Sequence, residues 1–268
     1  QWQGITNTWR SSQSQHTYED NVRLIKGKIA EGDIYQVNLC RVLTADSDQP
    51  LLGLANQLQV ANPAPFASYL KLPGIEIASA SPELFLEKKA AVIKSTPIKG
   101  TAKSDNFGEK DRAENVMIVD LMRNDFGSIC KPGSVDVPRL LASEAHPGLF
   151  HLVSDVVGSL REDVKWEQIT SALLPAGSIS GAPKLSAIKS IKEIEKVERG
   201  PYCGVIGWVE GDQALLSVGI RIFWSKEDGK INFGTGAGIT WQSDPRGEWD
   251  ETELKANRLI SIASGVLV

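Results

Sequence analysis

One lysine and one glutamate are the residues of this chain best placed to do chemistry. Lys99 lies in the tract Pro97-Ile98-Lys99-Gly100-Thr101, and Glu83 lies sixteen positions upstream in Ser81-Pro82-Glu83. Apolar stretches nearby, Ile75 to Ala80 and Ala91 to Ile93, read as short strands. Two adjacent antiparallel strands are therefore expected to hold the amine and the carboxyl group within reach of one small substrate. A lysine attacks carbon only when deprotonated, and burial or a nearby cation lowers its pKa enough to supply free amine near neutral pH. The pair suits an amine nucleophile working beside a proton donor. Taken alone, a Lys-Gly pair after a Pro-Ile turn reads as an exposed surface lysine; its company in the rest of the chain overturns that reading.

A second constellation is acidic. Asp111 and Glu114 are three residues apart, as are Glu248 and Glu251, and side chains at that spacing share one helix face. Two such faces opposed across a cleft would offer several carboxylate oxygens and no sulfur or imidazole, a donor set that selects magnesium over zinc. Either pair alone is equally explained as acidic residues favouring a helix dipole.

A third is built for anions. Arg221 closes Ser217-Val218-Gly219-Ile220-Arg221, and Gly234-Thr235-Gly236-Ala237-Gly238 follows one strand later. Arginine grips a carboxylate through two parallel hydrogen bonds, and closely spaced glycines let main-chain N–H groups approach an anion as a nest. Such a run also makes ordinary tight turns. His151, one of three histidines, titrates in the range of a proton carrier; a partly buried structural histidine is the competing reading. Pro175 to Lys184 reads as a Gly/Ser loop ending in a helix, with Lys184 solvated or structural.

The elements that must position these groups alternate helices with many strands. Tyr18, Val22, Ile25 and Ile29 follow helical spacing, and Gly32 stops that helix before a strand in which Tyr35, Val37 and Leu39 face one way and Gln36 and Asn38 the other. Pro50 opens a second short helix, and Pro63 and Pro65 end the connection after it. Strands are expected at 66–70, 75–80, 83–87 and 91–94, with three more at 203–210, 213–224 and 231–234. Short turns such as Gly211-Asp212 and Glu227-Asp228-Gly229 imply antiparallel sheets.

Composition narrows the class. With 268 residues, 41% of them apolar, the chain can bury one large core, and residues 1–268 are read as a single domain. A net charge of −4 without a basic run argues against a nucleic-acid partner. No apolar stretch approaches the roughly 20 residues of a membrane span and no signal-peptide pattern opens the chain, which makes the cytoplasm the expected location. Cys40, Cys130 and Cys203 are odd in number and widely spaced, which suits reduced packing thiols better than disulfides or zinc.

Taken in order, the motifs resemble those of the chorismate-utilising enzymes. The blocks are Gly32-Asp33-Ile34-Tyr35-Gln36-Val37-Asn38-Leu39, the Glu83 and Lys99 tracts, Asp111 to Asp125, His151-Leu152-Val153-Ser154, Pro175 to Lys184, Gly234 to Ile239, and Glu248-Trp249-Asp250-Glu251-Thr252. The resemblance covers nearly the whole chain. It implies an α+β fold of two large antiparallel sheets packed together and flanked by helices. It also implies that Glu114 and Glu248 bind Mg2+ with Asp111 and Glu251 nearby, Asp111 departing from relatives that carry glutamate there. Tyr202 and Arg221 would contact the enolpyruvyl side of chorismate, Gly236 and Gly238 its carboxylate, and Ser178 and His151 would lie near the ring. At Gln36, relatives that use water carry a lysine that activates it; glutamine cannot act as that base, so the site looks built for a nitrogen nucleophile.

Within the family, a lysine at position 99 resembles the aminodeoxychorismate synthase component I branch, where anthranilate synthase typically carries alanine. The implied reaction converts chorismate and ammonia into 4-amino-4-deoxychorismate, the precursor of p-aminobenzoate in folate biosynthesis. Lys99 would be the covalent nucleophile and Glu83 the proton donor. No cysteine nucleophile in a glutaminase setting is apparent, so a glutamine amidotransferase subunit is expected to supply the ammonia. The N-terminal portion, where relatives carry a tryptophan site, is expected to be absent. Two alternatives stay open: anthranilate synthase component I, and an inactive chorismate-binding or partner-binding module.

Overall fold

In this computed structural model, which describes residues 2–146 and 149–266, the chain forms two units. One comprises Gln1–Pro82, Ile179–Gly204 and Gly219–Val268, the other Glu83–Ser178 and Val205–Val218. Each is built on its own seven-stranded antiparallel sheet with helices beside it. Elements are numbered in chain order through both.

The first unit contains β1 (Arg10–Ser11), α1 (Gln15–Ala30), β2 (Gln36–Asp46), α2 (Leu52–Ala61), β3 (Phe66–Leu72), β4 (Ile75–Ser81), β10 (Gly181–Ala182), α5 (Lys184–Ile194), β13 (Ile222–Ser225), β14 (Lys230–Ile239) and α6 (Pro245–Ala263). Its sheet runs β1-β2-β14-β13-β4-β3, with β10 paired to the start of β2. Helix α1 begins where the Ser14 side chain accepts the Thr17 N–H at 3.2 Å, satisfying one of the free donors of the first turn. Its Tyr18, Val22 and Ile25, spaced for one helix face, are buried against Val37 and Leu39 of β2 and Ala237 and Ile239 of β14. A second cluster packs Leu54 and Leu58 of α2 and Leu259 and Ile262 of α6 around Phe223 and Phe233.

The second unit contains β5 (Leu84–Lys89), β6 (Val92–Thr96), β7 (Ile98–Ala102), α3 (Glu109–Gly127), β8 (Asp136–His146), β9 (Leu149–Ser159), α4 (Trp166–Leu173), β11 (Val205–Glu210) and β12 (Gln213–Val218). Its sheet runs β11-β12-β5-β6-β9-β7, with β8 also paired to β9. Strands β6 and β7 are one extended path interrupted at Pro97, and both pair with β9. A proline donates no ladder hydrogen bond, which is why the path breaks there.

Several expectations need correcting. The stretch 213–224 is two strands rather than one: β12 belongs to the second sheet and β13 to the first. The chain changes sheets at Gly219-Ile220-Arg221, where Arg221 adopts a left-handed φ of 54°. A Cβ on Gly219 would meet the Pro201 carbonyl oxygen at 2.7 Å, so only glycine fits the crossing. Tyr35 lies outside β2 and is exposed, while Gln36 and Asn38 are as buried as Val37 and Leu39. Strand β2 therefore has no wet face. Finally, the strands around Glu83 and Lys99 are not neighbours: β5 pairs with β12 and β6, whereas β7 pairs with β9.

Candidate active site

In the second unit, Lys99 lies in a bulge next to a backbone contact of Glu83. The β7 register runs Ile98 to Val153 and then Thr101 to His151, so Lys99 and Gly100 together oppose the single residue Leu152. Such an extra residue leaves the ladder and re-aims its side chain. Gly100 makes the bulge possible, with φ 90° and space so tight that a Cβ would lie 3.1 Å from Asp111 Cβ and 3.2 Å from Leu152 Cβ. Glu83 is 3% exposed. Its carboxylate accepts the Ile98 N–H at 3.4 Å, and its own carbonyl accepts the Val218 N–H at 3.0 Å. The carboxyl group thus sits one residue from the lysine, by backbone contact rather than by strand pairing.

His151 is buried on β9, in register with Thr101 on one side and Glu144 on the other. Asp111 and Glu114 occupy the first turns of α3, where Asp111 Oδ2 accepts the Gly108 N–H at 3.1 Å and caps the helix. Lys110 Nζ lies 3.8 Å from Glu114 Oε1. The helix is pinned by Asn115, whose Nδ2 donates to the Leu152 carbonyl at 3.0 Å and whose Oδ1 accepts the Ser154 hydroxyl at 2.6 Å. Ser178 is buried in a one-turn helix, Gly177–Ile179. A Cβ on Gly177 would lie 2.4 Å from Leu121 of α3.

In the first unit, the glycine run is a strand and not a nest. Gly234, Gly236 and Gly238 lie in β14 opposite Val42, Cys40 and Asn38 in unbroken register with β2. Their missing side chains serve close approach: a Cβ on Gly234 would penetrate the Tyr202 ring at 2.2 Å, and one on Gly236 would lie 2.8 Å from Cys40 Sγ. The ladder with β13 reaches only Phe233, so from Gly234 onward β14 is laddered to β2 alone. Tyr202 is buried, and Arg221 is half-buried with its carbonyl accepting the Ala80 N–H. Gln36 is fully buried, and neither atom of its amide has a hydrogen-bond partner among the described residues. Such an unsatisfied group costs about 1–3 kcal/mol.

Helix α6 presents Glu248, Glu251 and Lys255 on one face. Lys255 Nζ lies 2.6 Å from Glu251 Oε1 and donates to the Gly236 carbonyl at 3.1 Å. Burial works against the Lys255 charge, but Glu251 and Glu248 outweigh it and hold its pKa above the ordinary lysine value, with Arg221 pushing the other way. Lysine, arginine and two carboxylates are therefore in mutual electrostatic reach. The reading of the sequence missed Lys255, although its place four residues after Glu251 was the signal. Arg41 of β2 anchors the helix from below: Nε donates to Thr252 Oγ1 at 3.0 Å and the guanidinium stacks 4.1 Å from the Trp249 ring centre.

The four carboxylates expected to bind magnesium divide between the units, Asp111 and Glu114 on α3 and Glu248 and Glu251 on α6. No group of three or more metal-ligating side chains comes together among the described residues. In chemistry the set still fits a hard cation. All four are carboxylates, the hard oxygen donors that magnesium prefers, and Glu248 is 3% exposed.

A family model described as chorismate binding enzyme matches residues 2–261. The chain belongs to this family. Aminodeoxychorismate synthase component 1 of Klebsiella aerogenes is 37% identical over 270 residues, covering 96% of this chain and 60% of that protein. Anthranilate synthase component 1 of Acetivibrio thermocellus is also 37% identical, over 264 residues, covering 93% of this chain and 53% of that protein. The crystal structure of anthranilate synthase component I from Streptococcus pneumoniae TIGR4 matches with a TM-score of 0.87 at 30% identity, covering 96% of this chain and 60% of that one. The chain thus spans 53–60% of the length of these relatives. Two antiparallel sheets with flanking helices are the expected family architecture. Overall similarity weighs two chorismate-using activities equally, so the difference between them has to be read at single residues.

Proposed function

We propose that this chain aminates chorismate at ring carbon 4, giving 4-amino-4-deoxychorismate. The observation that carries the reading is Lys99, a bulge residue one position from the backbone contact of Glu83. In the proposed sequence the Lys99 amine adds to ring carbon 2, both double bonds of the ring diene shift by one position around the ring toward carbon 4, and the 4-hydroxyl leaves as water with a proton from Glu83. The amine gives up one proton in this step. Ammonia then adds at carbon 4 and loses one proton, both double bonds shift back, and Lys99 departs with a proton restored. Two allylic displacements keep the new amine where the hydroxyl had been, and the net change is loss of water for ammonia.

The remaining residues take supporting roles. Glu114 and Glu248 would hold a magnesium ion, with Asp111 and Glu251 beside them; bound there, it would tie down the ring carboxylate and favour charge developing in the ring. Arg221 and Tyr202 would bind the enolpyruvyl group and Gly236 and Gly238 the carboxylate, while Ser178 and His151 would line the ring. The unsatisfied amide of Gln36 is assigned to the bound molecules, since it cannot act as a base toward water. All three cysteines are buried and free; glutamine hydrolysis is assigned to a separate amidotransferase subunit, and the reaction, on the reading of the sequence above, to the cytoplasm.

A second reading has a specific observation behind it: the equal identity to anthranilate synthase component 1. That enzyme would release pyruvate and aminate carbon 2. Turnover of chorismate with magnesium and an ammonium salt, with products resolved by chromatography, separates the two. Aminodeoxychorismate supports the reading, and anthranilate as the main product overturns it.

A further inference from the structure

Arg41 of β2 is a cation almost wholly removed from water, 1% exposed, and the proposed chemistry gives it no part. A guanidinium is a planar fork whose donors point in fixed directions, and here all three nitrogens are engaged. Nε donates to Thr252 Oγ1 at 3.0 Å, Nη1 to Ser11 Oγ at 3.1 Å, and Nη2 to the Glu253 carboxylate. The guanidinium carbon lies 4.1 Å from the Trp249 ring centre, and the Tyr18 ring packs edge-on against that indole with centroids 5.7 Å apart. Across the ladder Arg41 is in register with Thr235 of β14, whose hydroxyl donates to the Thr252 carbonyl at 3.0 Å. Trp249, Thr252 and Glu253 are spaced by three and four residues and share one face of α6. Glu248 and Glu251 each stand one residue earlier than a gripped position, turned from it by about 100°. Thr235 holds the helix at a single main-chain point, about which it is free to roll. Arg41 takes three side chains of one face at once and removes that freedom.

We propose that Arg41 is a positioning residue: it sets the rotation of α6 about its own axis and so aims Glu248 and Glu251, two of the four carboxylates assigned above to magnesium. The inference rests on that assignment. Carboxylates already held in place lose less freedom when the cation arrives, and groups that orient metal ligands from behind typically contribute about 10–100-fold to metal affinity. Lysine at position 41 would keep the charge but offer one ammonium in place of the fork. It cannot reach Thr252, Ser11 and Glu253 together while stacking on Trp249. Arg41→Lys should therefore weaken magnesium binding on the order of tenfold. Because no atom of Arg41 is assigned to the substrate, most of the turnover lost at limiting magnesium should return when magnesium is raised to saturation. A residue that merely stabilised the fold would lower the unfolding midpoint and leave the magnesium affinity of the folded chains unmoved.

The test compares magnesium binding by calorimetry in the whole parent chain, Arg41→Lys, Thr252→Val and Leu54→Ala, with urea unfolding of the same samples to give the folded fraction. Thr252→Val removes the oxygen that accepts Arg41 Nε at little change of volume, and it carries the prediction if Arg41→Lys does not fold. Leu54→Ala is the control for lost stability, a truncation in the cluster around Phe223 and Phe233. Per folded chain, Arg41→Lys and Thr252→Val should bind magnesium more weakly than the parent, and Leu54→Ala should bind it equally well. A folded Arg41→Lys with the parent's affinity overturns the inference and leaves the metal assignment standing. The same holds if Leu54→Ala loses as much affinity, or if Arg41→Lys stays slow at saturating magnesium. A parent chain that binds no magnesium overturns the metal assignment, and the inference falls with it.

Discussion

The backbone N–H of Ile98 donates to Oε1 of Glu83 across 3.4 Å, leaving one residue between that carboxylate and Lys99. Lys99 follows at once in the β7 bulge, where it and Gly100 together oppose Leu152.

Gly100→Ala should therefore damage both stability and activity. Alanine is strained at φ 90° and crowded by Asp111, Leu152 and Phe107. A loss of about 1–3 kcal/mol in denaturant unfolding is expected. Displacing Lys99 should lower chorismate turnover on the order of 10²-fold. A variant that unfolds and turns over like the parent would mean that the bulge does not set the lysine.

Much of this was legible in the residues themselves. The spacing of Tyr18, Val22 and Ile25 gave α1, and Asp111 with Glu114 and Glu248 with Glu251 did fall on helix faces. What escaped was non-local. Nothing in the apolar run from Gln213 to Trp224 says that it changes sheets, because strand patterning does not record the partner; only the left-handed Arg221 does. The glycines of β14 read as an anion-binding nest because glycine is permissive in both settings, and the Tyr202 ring that requires Gly234 comes from 32 residues upstream. Strands β8 and β9, with bulges at Arg139, had no clean alternation to read.

Acid should unfold the second unit partly through Asp155. Burial pushes its pKa up, but Arg139, Thr96 and Lys94 outweigh that and hold it below the ordinary aspartate value. A lowered folded pKa means that its stabilisation is fully present above the ordinary value of 3.8 and is lost as pH falls through the lower folded value. Asp155→Asn should cost about 1–3 kcal/mol near neutral pH, discounted because Arg139 is partly exposed. Urea midpoints of parent and variant should converge in strong acid. A gap that persists unchanged there would show that the Asp155 charge contributes nothing.

Magnesium should depend on Glu248. Glu248→Gln removes a buried negative charge with little change of shape, and calorimetric magnesium binding should weaken by at least on the order of tenfold. An unchanged magnesium titration, in binding and in turnover, would remove Glu248 from the metal site.

Ammonium, not glutamine, should serve the isolated chain as nitrogen source. Rates should rise with pH as more free ammonia becomes available, and glutamine should work only after a cognate amidotransferase is added. Glutamine-dependent turnover by the purified chain would contradict the assignment of that step to a partner.

The most direct measurement is the mass of the protein after incubation with chorismate and magnesium in the absence of ammonia. An adduct equal to chorismate less water is expected, mapped by proteolysis to the peptide carrying Lys99 and absent from Lys99→Ala. An adduct that persists in Lys99→Ala, or parent protein that turns chorismate mainly into anthranilate without any adduct, would contradict the account.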